Sequence, residues 1–167
     1  MRGQGPLEDT LQNSYSALMK ALKTICILVC LIALCGCSST LANRAPLGET
    51  FPTVRGTSLE KESIEIPTAY AGSPVVLLVG YTQRSQFDLD RWILGLTQLE
   101  TPIKIVEVPT IAGLIPGLFS DRIDNGMRTG IPEEDWGGVV TVYDDGDAIV
   151  NFLGNEGPNN GRILLLD

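Results

Sequence analysis

The sequence predicts an α/β domain, on three observations. Residues 74–81 (Pro-Val-Val-Leu-Leu-Val-Gly-Tyr) are a continuous apolar run, as a strand buried on both faces requires. Leu89, Trp92, Ile93, Leu96 and Leu99 then recur at helical spacing, and residues 102–109 return to a strand pattern around Ile103, Ile105, Val106 and Val108. Strands that alternate with helices build a sheet containing parallel pairs.

Ahead of that domain, residues 19–39 form a unit of their own. Lys20 and Lys23 are a cationic start, residues 24–34 an apolar run, and Leu34-Cys35-Gly36-Cys37 a small-residue end. An export signal carries about 7–15 apolar residues where a bilayer-spanning helix needs roughly 20. The run is therefore too short to span, and no basic cluster follows it. Its last four residues resemble the lipobox of bacterial lipoproteins, with Cys35 where that family usually has Ala, Ser or Thr. The resemblance implies a signal peptide over 19–36, cleavage before Cys37, and acylation of that cysteine's sulfur and amine. Several acyl chains on one residue anchor stably where one chain holds only marginally. Ser38, in place of Asp, implies the outer membrane facing the periplasm rather than the inner membrane. Residues 1–18, with Pro6, Glu8, Asp9 and Gln12, do not suit a short basic n-region. Met19 is the better start, and a long n-region is the alternative.

Residues 37–50 read as the lipidated cysteine and a flexible tether, because they are small, polar and without periodicity. Residues 51–167 are the domain. Ile64-Glu65-Ile66 alternates and suits a short strand. Asp88 is placed to cap the helix that begins at Leu89. Residues 111–127 are helix-like but broken by Pro116, with Leu118, Ile123 and Met127 on one side. A turn at 131–136 precedes a third strand at 139–143. Residues 147–154 fit a short helix capped by Asp147 and ended by Gly154, or else a hairpin across Asp145-Gly146. The stretch 154–161 (Gly-Asn-Glu-Gly-Pro-Asn-Asn-Gly) is loop, and 162–167 (Arg-Ile-Leu-Leu-Leu-Asp) an apolar closing strand.

Composition excludes several chemistries. All four cysteines, Cys26, Cys30, Cys35 and Cys37, lie within the signal and its end, and the chain has no histidine. Past Cys37 there is thus no thiol nucleophile, no disulfide, no Ser–His–Asp triad and no imidazole or thiolate metal site. Arg2, Lys20 and Lys23 precede Ser38 and leave 9 Lys/Arg beyond it, while Glu8 and Asp9 leave 18 Asp/Glu, a balance of −9. Such a domain is repelled by phosphate backbones, so no nucleic-acid partner is expected.

The element pattern resembles the thioredoxin-like superfamily, which includes peroxiredoxins and thiol-disulfide lipoproteins. The residues that carry the resemblance are Phe51, Gly56 and Leu59 at the opening, the buried run 75–81, the loop-to-helix passage 82–92, and the last strand 162–167. It implies a three-layer sandwich whose active loop joins the buried strand to the next helix, where a helix N-terminus makes a thiolate available. The family has Cys-x-x-Cys or one peroxidatic cysteine there. This chain has Thr82-Gln83-Arg84-Ser85, hydroxyls at the same i, i+3 spacing. Hydroxyls neither exchange disulfides nor reduce peroxide. The family's closing strand also normally leads into a hairpin and helix. None follows Asp167, so either the thioredoxin-like reading is wrong or the domain is truncated at its C-terminus, lacking an edge strand and a covering helix.

These observations support a membrane-anchored envelope lipoprotein with a redox-inactive domain for binding or assembly. Thr82, Gln83, Arg84 and Ser85 are its candidate binding loop, Cys37 its lipidation site, and an envelope protein its expected partner. No catalytic residue, cofactor or metal is assigned. The alternatives are a non-thiol enzyme using the 82–90 loop and a truncated, non-functional family member. Asp144-Asp145-Gly146-Asp147 lacks the spacing and distal Glu of a calcium loop and reads as a solvated turn. Asp88 and Asp90, two apart, do not share a helix face as an acid-base pair would. Trp92 and Trp136 read as packing residues, and Arg84 is the cation placed for anion binding.

Overall fold

A computed structural model describes residues 15–16, 18–25, 40–112 and 119–167. Cys37, the rest of the lipobox and Pro116 lie outside the described residues. The chain divides into two units, Met1–Ser39 and Thr40–Asp167. In the first, residues 18–25 are helical. Among the described residues no helix is long and apolar enough to cross a membrane.

The second unit is the α/β domain. Its strands are β1 (Val54–Ser58), β2 (Ser63–Ile66), β3 (Val75–Gly80), β4 (Lys104–Pro109), β5 (Val140–Thr141) and β6 (Arg162–Leu166), and its helices α1 (Gln86–Gln98), α2 (Ser120–Gly130) and α3 (Gly146–Leu153). β3 is the central strand. It runs parallel to β4, with Leu77 opposite Val106, and antiparallel to β6, with Leu77 opposite Leu164. All six β3 residues are buried, which is why that segment reads as an unbroken apolar run. A second sheet orders β2-β1-β5. Two parallel bridges, Glu107 to Val139 and Thr110 to Val142, join the sheets along β4.

The two faces of β3 support separate cores. Val75, Leu77 and Val79 pack with Val106, Val108, Val140, Ile149 and Leu153, which brings α3 onto that face. Val76 and Leu78 pack with Leu89, Ile93 and Leu96, which lays α1 on the other. A parallel strand–helix–strand unit, an antiparallel closing strand and helices on both faces make this a thioredoxin-like α/β sandwich, the expected fold class.

Several local expectations need correction. α1 starts at Gln86, after a 3₁₀ turn over Gln83–Ser85, and Ser85 holds the N-cap position. Asp88 is turned outward instead, where its carboxylate accepts from the Gly161 amide at 3.3 Å. Trp92 is half exposed, because the buried stripe runs through Leu89, Ile93 and Leu96 and leaves Trp92 on its flank. Trp136, by contrast, is partly buried as a packing residue should be, and donates through Nε1 to the Ile131 carbonyl. Residues 146–153 are helix and not a hairpin, with Asp145 rather than Asp147 at the cap. The Asp145 carboxylate reaches the Arg55 amide at 2.7 Å. In β6, Leu164 and Leu166 face the larger core but Leu165 is 63% exposed, so this apolar run is not covered on both faces.

Residues 41–49 depart furthest from the tether reading. The Leu41 amide donates to Asn155 Oδ1 at 2.7 Å, and the Leu41 carbonyl accepts from the amides of Asn155 and Glu156. The Arg44 amide donates to the Leu153 carbonyl, and the Arg44 guanidinium pairs with Glu49 and lies over the Phe152 ring. The segment is a strap docked along the 152–156 turn. Hydrogen bonds to a loop more than a hundred residues away leave no periodicity to read in a short polar stretch.

Candidate functional site

The 82–85 turn sits where β3 hands over to α1. The handover is tight. A Cβ on Gly80 would lie 2.5 Å from Ser85 Oγ and 3.2 Å from Leu89 Cδ1, so Gly80 lets Ser85 tuck beneath the turn. Ser85 is buried and its Oγ donates to the Thr82 carbonyl at 2.6 Å. A main-chain carbonyl cannot act as a general base, so this geometry does not activate the hydroxyl as a nucleophile. Thr82 Oγ1 is within 3.0 Å of Asn159 Oδ1 and 3.4 Å of the Pro158 carbonyl, the hydroxyl donating toward that pair. Both hydroxyls of the 82–85 turn are therefore committed to holding it. Gln83 and Arg84 are exposed between them, and no ion pair among the described residues involves Arg84.

The sequence did not single out Arg162, which the structure places at this end. It heads β6 opposite Val79, and its guanidinium folds back over the 154–161 loop. One terminal nitrogen donates to Asn43 Oδ1 at 2.6 Å and to the Glu156 carbonyl at 2.8 Å. The other reaches the carbonyls of Asn160 and Gly161. Arg162 thus ties strap, loop and central sheet together. Burial pushes the Tyr81 phenol up to about 12, a shift that the Arg162 charge partly opposes. The only available signal was an arginine beginning an otherwise apolar strand after an amide- and glycine-rich loop.

A carboxyl cluster lies under α1. Glu107, on β4, is 7% exposed, and burial raises its pKa. A hydrogen bond from the Gln86 side chain opposes the shift, and the Asp90 charge adds to it. Gln86 also donates to Asp90 at 2.9 Å, so one amide bridges both carboxyls. Asp88 is not part of this bridge, and the Asp88/Asp90 pair does not form. A carboxyl whose folded pKa is raised holds its proton more tightly in the native state than when unfolded. Stability is then greatest at low pH and falls as pH rises from the ordinary glutamate range through the raised value. Glu107→Gln should remove this dependence. Denaturant midpoints of wild type and variant, compared from pH 4 to pH 8, should show the variant gaining on wild type as pH rises. Parallel profiles would mean that Glu107 ionises normally.

Elsewhere, Tyr143 donates to Asp124 at 2.7 Å and links the turn after β5 to α2, where burial and that carboxylate hold the phenol protonated. Among the described residues no group of three or more acidic side chains is gathered to hold a metal. A groove of about 730 Å³ runs between the strap and β6, lined by Arg44, Phe51, Phe152, Arg162, Leu164 and Leu166 among others.

No protein-family model matches the chain, and no curated protein matches it. Among solved structures it is similar to an uncharacterized conserved protein from Geobacillus kaustophilus, with 12% identity and a TM-score of 0.50. That match covers 76% of this chain and 66% of that one, so the chain spans just under two-thirds of that protein. It also matches a thiol peroxidase from Chromobacterium violaceum at 13% identity and TM-score 0.46, over 77% of this chain and 74% of that one. A SCO1/SenC family lipoprotein from Bacillus anthracis str. Ames matches at 13% identity and TM-score 0.47, over 75% and 83%.

Proposed function

We propose that this chain is a lipid-anchored protein of the bacterial cell envelope whose thioredoxin-like domain binds or assembles and does not exchange electrons. One observation carries the second half of that reading. Where the resemblance implies redox thiols the chain has Thr82 and Ser85, the second buried and donating to a main-chain carbonyl. A hydroxyl there cannot be oxidised to a disulfide or sulfenic acid. The exposed Gln83 and Arg84, displayed between two anchored hydroxyls, are the side chains offered to a partner. The anchor half rests on Cys37 and the apolar run before it, and Ser38 favours the outer membrane over the inner.

The test uses the whole chain expressed in a bacterium with a palmitate analogue. Wild type should take up label and mature, while Cys37→Ser should lose all label and accumulate as precursor. Label retained by Cys37→Ser would end the assignment. The purified mature protein should reduce neither peroxide nor a disulfide substrate above buffer rates, and measurable turnover of either would refute the inactive-fold reading.

A further inference from the structure

The docked strap limits how the domain can stand at a membrane. If residues 37–50 were free, thirteen steps at up to about 3.5 Å each would reach about 45 Å and allow any orientation. Leu41, however, is held by three hydrogen bonds, its amide donating to Asn155 Oδ1 and its carbonyl accepting from the amides of Asn155 and Glu156. Only four steps then separate Cys37 from a fixed point on the domain, a reach of at most about 14 Å. A compact unit of this length has a radius of gyration of about 14 Å and is more than twice that across. The far end of the domain cannot be brought to the bilayer on such a leash.

The end held close contains the candidate site. Asn155 and Glu156 bind Leu41, Arg162 binds Asn43 and Glu156, and Asn159 binds Thr82. The 154–161 loop, the 82–85 turn and the start of α1 therefore share one end of β3. Ser73 lies beyond the other end of that strand. Arg84, exposed and outside every ion pair among the described residues, lies at this end, where a headgroup phosphate would meet it.

We propose that the strap holds the domain on the lipid headgroup layer with the 154–161 loop and the Thr82-Gln83-Arg84-Ser85 turn facing the bilayer. This rests on acylation of Cys37. The partner surface of the turn is then the membrane interface itself, and Gln83 and Arg84 lie at headgroup level.

The mature chain has no free thiol once Cys37 is acylated, so one introduced cysteine labels uniquely. Gln83→Cys and Ser73→Cys, both at exposed positions, would each carry a donor fluorophore. The acylated proteins would be placed in phosphatidylethanolamine/phosphatidylglycerol vesicles containing a headgroup-linked acceptor. Energy transfer should be severalfold stronger from position 83 than from position 73, which β3 and its flanking turns set back by about 20 Å at about 3.3 Å per residue. Inserting ten Gly/Ser residues between Ser39 and Thr40 adds about 17 Å of root-mean-square reach and should erase the difference. Equal transfer from the two positions in a protein that floats with the vesicles overturns the orientation and leaves the anchor standing. A protein that carries no acyl mass and does not float overturns both.

Discussion

Leu77→Ala should destabilise the Thr40–Asp167 domain by about 3–5 kcal/mol, the range for deleting a fully buried leucine whose site cannot collapse. Leu77 has no exposed surface and lies midway along β3, opposite Val106 on one side and Leu164 on the other. Strand neighbours on both sides hold the backbone in place, so the cavity persists. Domains of this size are stable by about 5–15 kcal/mol, so the variant should sit near the unfolding threshold. Leu165→Ala is the control. It removes the same atoms from another apolar strand, but Leu165 is largely exposed and its loss should cost under about 1 kcal/mol. Urea unfolding of both variants beside wild type would check the pair, and a Leu77→Ala midpoint close to that of Leu165→Ala would mean that β3 is not the centre of the core.

Leu77 and Leu165 also mark how far a sequence can be read. Both sit in continuous apolar runs, and composition alone gives them equal claims to burial. β3 is buried throughout because helices cover both its faces, whereas β6 is an edge whose end extends past the cover of α1. Hydrophobic runs report the strand and not its place in the sheet order. The core of α1 was legible for the same local reason, through the spacing of Leu89, Ile93 and Leu96. Its start was misplaced because Asp88, a good capping residue, is engaged by the Gly161 amide seventy-three residues on. At the candidate site the turn was legible as a turn at the end of β3. Its partner Asn159, and Arg162 which braces the same loop, were not, because nothing local connects a polar loop near the C-terminus to Thr82.

Gly154→Ala should release the strap. Gly154 has φ of 77° and ψ of 167°, a region that essentially only glycine adopts, at a cost of about 1–3 kcal/mol for other residues. Space forbids the change as well. A Cβ here would collide with the Ala42 carbonyl oxygen and lie 2.7 Å from the Asn43 Cα. These are main-chain atoms, so no rotamer change can relieve the clash. Either the α3 terminus or the strap must move. The α3 terminus is fixed by Leu153, buried in the main core, whereas the strap is held mainly by its hydrogen bonds to Leu153, Asn155 and Glu156. The strap should therefore give way first. Hydrogen exchange would show it directly: the amides of Leu41, Arg44, Asn155 and Glu156 should lose protection, while those of Val106 and Val108 in β4 keep theirs. Unchanged protection at Leu41 and Arg44 would mean that the strap is not anchored at this glycine. On the orientation proposed above, the same substitution would lengthen the leash from four residues toward thirteen and should also weaken the contrast in energy transfer between positions 83 and 73. A strap that only packs against the domain would lose its protection and leave that contrast unchanged. A strap that sets the orientation must lose both together.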